Sequence, residues 1–351
     1  MRIVQLQTSD RGRRLGVING DKILDVTEID GTPILRSTFE AFQLADERGM
    51  SLSDLLAPRA KETSRRFDYK FVLAAEPHGD KPYLLPPLDH PDPYHTLVAG
   101  TGLTHLGSMK SRDEMHVGQA SSLTADSQAG SLRHDTAPKT DSAKMFEMGL
   151  AGGKPAPGQR GVAPEWFYKG NGTILRGPRE PLDIPEFALD GGEEPEIVGC
   201  YVINKLGVPT RLGFSLGNEW SDHATEKINY LYLAPSKLRT CAVGPELNTE
   251  WDFQEVSLRC TVARGKQQLY DSGPLFSGEQ HMSHSLANLE DHHFKYPQHR
   301  QPGDVHLHFF GTSKLSYSTR DWQFADGDIV KVEATGFSAP LTNRVSRPRG
   351  A

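Results

Sequence analysis

The sequence has few cysteines, no long apolar run and no excess of basic residues. Its three cysteines, Cys200, Cys241 and Cys260, are too scattered for a zinc knuckle or a redox pair, which predicts buried thiols in a reducing compartment. No run approaches the roughly 18 apolar residues of a membrane span, and the first residues lack a signal-like pattern. The net charge of −6 gives no indication of a nucleic-acid partner. We therefore expect a cytoplasmic globular protein without a membrane or nucleic-acid partner.

The 351 residues allow one large domain and one small one. Residues 1–85 alternate short apolar strands with a hairpin turn at Asn19-Gly20-Asp21, and helical patterns follow at 38–48 and 51–57. A proline-rich stretch then marks a boundary, because proline restricts its own backbone and that of the preceding residue. We expect a small N-terminal α+β domain over 1–85 and a larger domain over 86–351.

The larger domain begins with a buried strand over 94–102 and is dominated by strands from residue 197 onward. Segment 118–161 is rich in Gly, Ser, Ala and Pro and has poor apolar periodicity, which predicts a long loop, either a lid or a mobile segment. Later strands are predicted at 197–203, 211–216, 255–263, 305–310 and 329–335. The predicted fold class is mixed α/β and β-dominated, with peripheral helices.

The most informative stretch is acidic and lies at the start of the strand over 197–203. Glu194 and Glu196 are separated by one residue, so on a strand they point to the same face with Cα atoms about 6.5–7 Å apart. Two adjacent anions repel each other unless they share a proton or a cation, and burial increases that cost. Carboxylates suit Mg²⁺, Mn²⁺ or Ca²⁺ better than zinc. The alternative is a solvated strand edge, of which Pro195 is typical.

The returning strand offers a third carboxylate. Gly213, Ser215, Gly217 and Glu219 alternate and therefore share one face. The small residues leave room for an ion and a ligand, and the hairpin turn could bring Glu219 beside the glutamate pair. The pattern predicts a divalent-cation site on three glutamates from two neighbouring strands.

Several short motifs, in this order, resemble the signature of the fumarylacetoacetate hydrolase superfamily. They are Glu194-Pro195-Glu196, Leu216-Gly217-Asn218-Glu219-Trp220-Ser221, Ser236-Lys237, Gly244-Pro245, Gly303-Asp304-Val305, Gly311-Thr312 and Gly327-Asp328-Ile329-Val330. The resemblance covers roughly Leu85 to Val345, and the first 80 residues resemble the superfamily's common N-terminal extension. It implies a fumarylacetoacetate hydrolase-like β-roll or sandwich with peripheral helices, a small N-terminal domain and a homodimer.

The resemblance also implies roles for individual residues. A divalent cation, usually Mg²⁺, would lie on Glu194, Glu196 and Glu219, where Glu219 replaces the family's shorter aspartate. The family's lysine falls on Lys237. Substrate contacts are implied for Lys169, Ser221, His223, Gly311 and Thr312.

Two departures from the family pattern bear on the expected activity. The late histidine of the family's hydrolases, in a G-L-N-Y-x-x-H segment, is replaced by Ser108, and an expected arginine is replaced by His223. Loss of the water-activating histidine argues against C–C hydrolysis. The chain resembles more closely the sugar-acid branch, which implies a dehydratase of a 2-keto-3-deoxy acid such as 2-keto-3-deoxy-arabonate. A C–C hydrolase of a 2,4-diketo acid is the alternative.

In such a dehydration, the 2-keto acid would chelate the cation, which stabilises the enolate formed when the C3 proton leaves. The C4 hydroxyl then departs with a donated proton. Lys237 would neutralise the substrate carboxylate or enolate, or act as the base. His105 and Ser108 are the candidates for proton transfer and for hydroxyl binding.

Two further alternatives remain open. Half of the fourteen histidines lie between His281 and His308, where the spacings of His281 with His284 and of His306 with His308 would suit a zinc hydrolase. No H-E-x-x-H motif is present, so histidines that only pack or touch substrate are the simpler interpretation. The replacements at Ser108 and His223 also allow a non-catalytic homologue that binds a sugar acid.

Overall fold

A computed structural model of the chain describes residues 1–120 and 139–347. Eighteen strands lie in these described ranges: β1 (Arg2–Thr8), β2 (Gly12–Asn19), β3 (Lys22–Asp25), β4 (Arg66–Asp68), β5 (Tyr83–Leu85), β6 (Thr96–Gly102), β7 (Glu165–Asn171), β8 (Leu175–Arg176), β9 (Pro181–Asp183), β10 (Pro195–Ile203), β11 (Pro209–Asn218), β12 (Cys241–Asn248), β13 (Val256–Arg264), β14 (Gln267–Asp271), β15 (Leu275–Ser277), β16 (Val305–Phe309), β17 (Ile329–Ala334) and β18 (Leu341–Ser346).

Helices are fewer than strands in the same ranges. The α-helices are α1 (Thr38–Arg48), α2 (Leu52–Glu62), α3 (Tyr69–Ala74), α4 (Leu106–Ala120), α5 (Asp141–Gly152), α6 (His223–Ile228), α7 (Leu233–Lys237) and α8 (Leu286–Phe294). Short 3-10 turns lie at Pro93–His95, Gly172–Ile174, Tyr230–Tyr232, Glu279–His281, Pro297–Arg300 and Ser316–Ser318. No helix in the described part of the chain is long and apolar enough to cross a membrane.

The strands form two sheets. Twelve of the described strands belong to the larger sheet, whose order is β4-β3-β2-β1-β12-β11-β10-β16-β6-β7, with β5 on β1 and β8 on β12. The smaller sheet has the order β14-β13-β17-β18-β9, with β15 on β13. The predicted β-dominated α/β class is confirmed. The predicted N-terminal part, 1–85, continues the larger sheet, because β1 pairs antiparallel with β12.

Strand β10 lies in the interior of the larger sheet, between β11 and β16, and every residue in it is buried. Alternate side chains point to opposite faces of a strand. Ile197 and Tyr201 therefore pack into the core between the two sheets, whereas Val198 and Val202 pack on the other face, in the core that also buries residues of α1 and α2. All three cysteines are buried and free, as predicted.

Residues 118–161 were predicted to form a long loop. The structure has helix α5 within this segment, so the loop prediction is wrong for α5. Thr140 caps this helix by accepting a hydrogen bond from the backbone N–H of Ala143. The small residues that suggested a loop instead allow close packing: a Cβ at Gly149 would lie 2.8 Å from His284 Nε2. Residues 121–138 of the predicted lid lie outside the described residues.

Candidate active site

Three buried glutamates meet where β10 and β11 pair. Residue Glu196 lies opposite Gly217 in this antiparallel pair, and the backbone N–H of Glu219 donates to the carbonyl of Glu194 at 3.0 Å. One carboxylate oxygen from each of Glu194, Glu196 and Glu219 lies within 4.8 Å of the others. The predicted convergence is confirmed, and the solvated-edge alternative is excluded because all three are at most 6% exposed.

Polar groups hold all three carboxylates in place. Lys237 Nζ donates to Glu194 and, at 3.1 Å, to Glu219 Oε2. His223 Nε2 lies 3.0 Å from Glu194 Oε1. The backbone N–H of Gly311 donates to Glu196 Oε2 at 2.7 Å. These bonds fix the directions in which the three carboxylates point.

These hydrogen bonds compensate the buried negative charge of the three glutamates only in part. Burial and the charges of Glu219 and Glu194 raise the pKa of Glu196 well above its ordinary value. Burial would also raise the pKa of Glu194, but the charge and hydrogen bond of Lys237, together with the contact to His223, outweigh burial and lower it. Glu219 Oε1 is buried and has no hydrogen-bond partner in the described structure. A divalent cation fits this donor set, because it would occupy the unpartnered oxygen and neutralise the remaining charge.

Two glycines make room for the site. A Cβ at Gly100, in β6, would lie 2.3 Å from Glu219 Oε1, so only glycine leaves that oxygen in place. A Cβ at Gly192 would lie 2.1 Å from His223 Nδ1 and would displace the imidazole from Glu194. The close approach of backbone to these side chains is a typical use of glycine.

A small chamber borders the carboxylates, and we call it the inner chamber. Its walls come from β6, β7, α4, α6 and the backbone that follows β16. The predicted site residues that line it are Ser108, Glu194, Glu219, His223, Lys237, Gly311 and Thr312.

Three other predicted site residues are buried behind this chamber. His105 lies 2.9 Å from Thr104 Oγ1 through Nδ1 and 3.0 Å from Ser277 Oγ through Nε2, so both ring nitrogens are engaged away from the carboxylates. Lys169 Nζ donates to the carbonyls of Trp220 and Lys237 at 2.7 and 2.9 Å. The Ser221 hydroxyl donates to the carbonyl of Glu219 at 2.8 Å. Lys169 and Ser221 thus hold the backbone that carries the site.

The sequence reasoning missed an ion-pair network at the chamber wall. Arg112 Nη1 lies 2.7 Å from both carboxylate oxygens of Glu165, and Arg112 Nε lies 2.8 Å from Glu226 Oε1. Tyr230 donates its hydroxyl proton to Glu165 at 3.0 Å. Arg112 and Glu226 line the inner chamber. No short motif signals this network, because its members come from α4, β7 and α6.

The histidine-rich region does not form the alternative zinc site. Among the side chains that the structure describes, in 1–113 and 139–347, the one group of metal-ligating side chains that converges is the glutamate triad. His281 is exposed, while His284 bonds to Asn288 at 3.1 Å. His306 and His308 do share one buried face of β16, as predicted.

The two sheets pack against a shared core, and the larger sheet contributes walls to the carboxylate-lined chamber. Full-length likeness to solved structures confirms the fumarylacetoacetate hydrolase-like fold that the sequence predicted. A solved structure described as 2-keto-3-deoxy-D-arabinonate dehydratase complexed with magnesium and 2,5-dioxopentanoate matches with a TM-score of 0.67 and 18% identity, over 100% of both chains. 5-Carboxymethyl-2-hydroxymuconate delta-isomerase from Mycobacterium smegmatis matches with a TM-score of 0.54 and 18% identity, also over 100% of both.

A further match is 2-hydroxyhepta-2,4-diene-1,7-dioate isomerase from Mycobacterium marinum, with a TM-score of 0.54 and 16% identity over 100% of both chains. No family model matches the sequence, and no curated protein matches it. Because the identities are so low, these solved structures establish the fold of this chain and not its activity.

Proposed function

We propose that this chain is a divalent-cation-dependent lyase that dehydrates a 2-keto-3-deoxy sugar acid such as 2-keto-3-deoxy-arabonate. The observation that carries the proposal is the buried triad of Glu194, Glu196 and Glu219 with an unpartnered oxygen on Glu219. The full-length likeness to a dehydratase solved with magnesium and a small dioxo acid supports it.

Glu194, Glu196 and Glu219 would hold Mg²⁺, or Mn²⁺ or Ca²⁺, through their carboxylate oxygens. When bound, such a cation supplies Lewis-acid stabilisation of negative charge on a keto oxygen. The Gly311 N–H and His223 then act as positioning groups, because each bonds one of the ligating carboxylates.

Lys237 has the geometry of an ion-pair partner rather than of a base. Its ammonium group lies in the inner chamber and already donates to two carboxylates. Placed there, it would neutralise the substrate carboxylate or the enolate that forms after loss of the C3 proton.

Dehydration also requires a group that accepts the C3 proton and a proton for the departing C4 hydroxyl, so that water is the net product. Glu226 lines the inner chamber as a carboxylate outside the triad, and we assign proton transfer to it. Ser108 lines the same chamber and donates to the carbonyl of His105 at 2.9 Å, which leaves its lone pairs for a substrate hydroxyl. His105 takes no part in this proposal, since its ring faces Ser277.

The proposal is tested by a product screen. The purified chain is incubated with Mg²⁺ and a panel of 2-keto-3-deoxy acids and 2,4-diketo acids, and products are identified by mass and by NMR. We expect loss of one water from at least one 2-keto-3-deoxy acid, abolished by EDTA and restored by Mg²⁺. Cleavage of a diketo acid into two fragments would instead favour the hydrolase, and metal-dependent binding without any product would favour the binding homologue.

A further inference from the structure

A second cavity adjoins the inner chamber, and we call it the outer cavity. Its free volume is about 460 Å³. Ser111 of α4 lines both spaces, and α6 contributes to both, with Glu226 on the inner chamber and Ala224 on the outer cavity. The ring of Tyr317, in the outer cavity, lies 5.4 Å from the ring of His223, in the inner chamber. The two spaces are therefore neighbours that share walls.

The inner chamber is too small for a whole sugar acid. Its free volume is about 20 Å³, and a space of roughly 10–15 Å³ by this measure holds one water molecule. The keto-acid end of a substrate can reach the carboxylates there, but most of a chain of five or more carbons must lie beyond it. The outer cavity is the adjoining space with enough volume.

The Arg320 side chain is held firmly in the wall of the outer cavity. The Arg320 guanidinium group lies 5.5, 5.2 and 4.9 Å from the ring centres of Tyr317, Trp322 and Phe324. It donates through Nη2 to Asp190 and to the carbonyl of Gly191. The side chain is 4% exposed. Its Nη1 atom is buried and has no hydrogen-bond partner in the described structure.

The chemistry of the walls favours a neutral, hydroxylated ligand. The cations Lys227 and Arg320 are matched in number by Asp190 and Asp321, so the cavity has no excess charge to select an anion. Tyr317 and Trp322 add aromatic surface, and Ser111, Ser318 and Gln323 add hydroxyl and amide groups. Apolar surface with a few polar groups is typical of small-molecule sites, and these groups suit C–H and O–H groups of a polyol chain.

We infer that the outer cavity binds the hydroxylated carbon chain of the 2-keto acid beyond C4, through the aromatic, hydroxyl and amide groups of its walls. This inference rests on the proposed function, and it extends the substrate class towards longer, polyhydroxylated acids.

The test uses acids that cannot lose water because they have no hydroxyl at C4. Calorimetry with the Mg²⁺-loaded protein compares 5,6-dihydroxy-2-oxohexanoate, 2-oxohexanoate and 2-oxobutanoate. We expect the dihydroxy acid to bind about tenfold more tightly than either of the others. Ser318→Trp, which fills the outer cavity from its exposed rim, should remove this advantage and leave the affinity for 2-oxobutanoate within about twofold. Thr319→Trp, at the next exposed residue, which does not line the cavity, should change neither affinity.

The outcomes distinguish a failure of the outer-cavity inference from a failure of the proposed function. If 2-oxobutanoate binds with Mg²⁺ but the hydroxyls confer no advantage, or Ser318→Trp retains the advantage, the inference about the outer cavity is overturned and the proposed function stands. If no 2-keto acid binds with Mg²⁺, the proposed function fails and the inference fails with it. Should Ser318→Trp lose 2-oxobutanoate binding as well, Gln323→Trp fills the same cavity and gives the decisive comparison.

Discussion

Three carboxylates and one ammonium group lie together in a buried site. They belong to Glu194, Glu196, Glu219 and Lys237. With every glutamate ionised, the carboxylates exceed the lysine by two negative charges. One divalent cation would bring the group to neutrality, which is the physical reason to expect a cation here and not a second lysine. Uncompensated buried charge is among the most costly features that a protein core can contain.

Glu196→Gln should therefore have opposite effects on activity and on the stability of the metal-free protein. The amide keeps the shape but removes a ligand charge, so we expect metal-dependent turnover to be lost. Because one of three mutually repelling charges is also gone, the unfolding midpoint in EDTA should rise by roughly 1–2 °C, about 1 kcal/mol. Calorimetric Mg²⁺ titration and thermal unfolding with and without Mg²⁺ measure both effects.

Glu186→Gln is the matched control, because Glu186 is exposed and lies outside the triad. It should leave turnover and the Mg²⁺ response unchanged. Wild-type turnover in Glu196→Gln after EDTA treatment would contradict the assignment of Glu196 as a ligand.

At the residue scale, the alternation rule was sufficient to predict the triad. Glu194 and Glu196 share a face by their spacing, and β10 and β11 are joined by a short turn, so register alone brings Glu219 to the pair. Alternation gives no information on His105, which was a candidate only through the mechanism implied by the family resemblance and whose ring direction depends on contacts with Ser277. Arg112 could not be predicted as a wall residue, because its partners are distant in the chain and no local periodicity signals them.

At the scale of elements, β16 and α8 are joined by a directional chain of hydrogen bonds. The indole N–H of Trp166 can only donate, so His293 accepts through Nδ1 at 3.1 Å and carries its proton on Nε2. That proton is donated to His306 Nδ1 at 2.9 Å. Both ring nitrogens of the adjacent His308 are buried without partners in the described structure. This series of hydrogen bonds requires His293 and His306 to be neutral imidazoles.

The pH dependence of stability follows from these histidines. Burial, followed by the proximity of His299, lowers the pKa of both His306 and His308 to about 3. The unfolded chain takes up protons near pH 6.5 while the folded chain does not, so stability is complete above pH 6.5 and is lost as pH falls towards 3. Each histidine contributes about 1.4 kcal/mol per pH unit within that window.

His308→Leu should remove one such contribution. Between pH 7.5 and pH 5.5, the free energy of unfolding should fall by about 1.4 kcal/mol less in this variant than in the wild type. Urea unfolding at the two pH values measures the difference. His281→Leu, at an exposed histidine, should behave as the wild type does. An equal loss in His308→Leu and the wild type would show that His308 does not remain neutral in the folded protein.

Helix α1 was predicted at its observed bounds. Helix α1 covers the predicted residues 38–48, with Ser37 accepting from the N–H of Glu40 and Gly49 ending the helix in the left-handed region at φ 65°. Helix α5 was missed although Thr140 caps it, because its glycines and alanines reflect close tertiary packing against residues near His284. Local composition does not distinguish that situation from a loop.

At the scale of the whole molecule, the first 85 residues and the rest of the chain share one sheet. Strand β1 lies between β2 and β12, and its Ile3 pairs with Leu247. The backbone carbonyl of Met1 accepts from the N–H of Thr249 at 2.9 Å. The proline-rich stretch around β5 therefore separates two segments of sequence whose backbones remain hydrogen-bonded to each other. Sequence patterns report local segments, so they could not predict that the sheet crosses this boundary.

This shared sheet predicts cooperative unfolding. All four tryptophans lie beyond residue 85, at Trp166, Trp220, Trp251 and Trp322, so their fluorescence reports on the larger part alone, whereas far-UV circular dichroism reports on the whole chain. Removing β1 would leave one edge of β12 partly unpaired and expose apolar residues such as Leu247, which is fully buried. We therefore expect the two urea transitions to coincide within error, as two-state unfolding requires. A circular dichroism transition that precedes the fluorescence transition would show instead that residues 1–85 unfold as a separate unit.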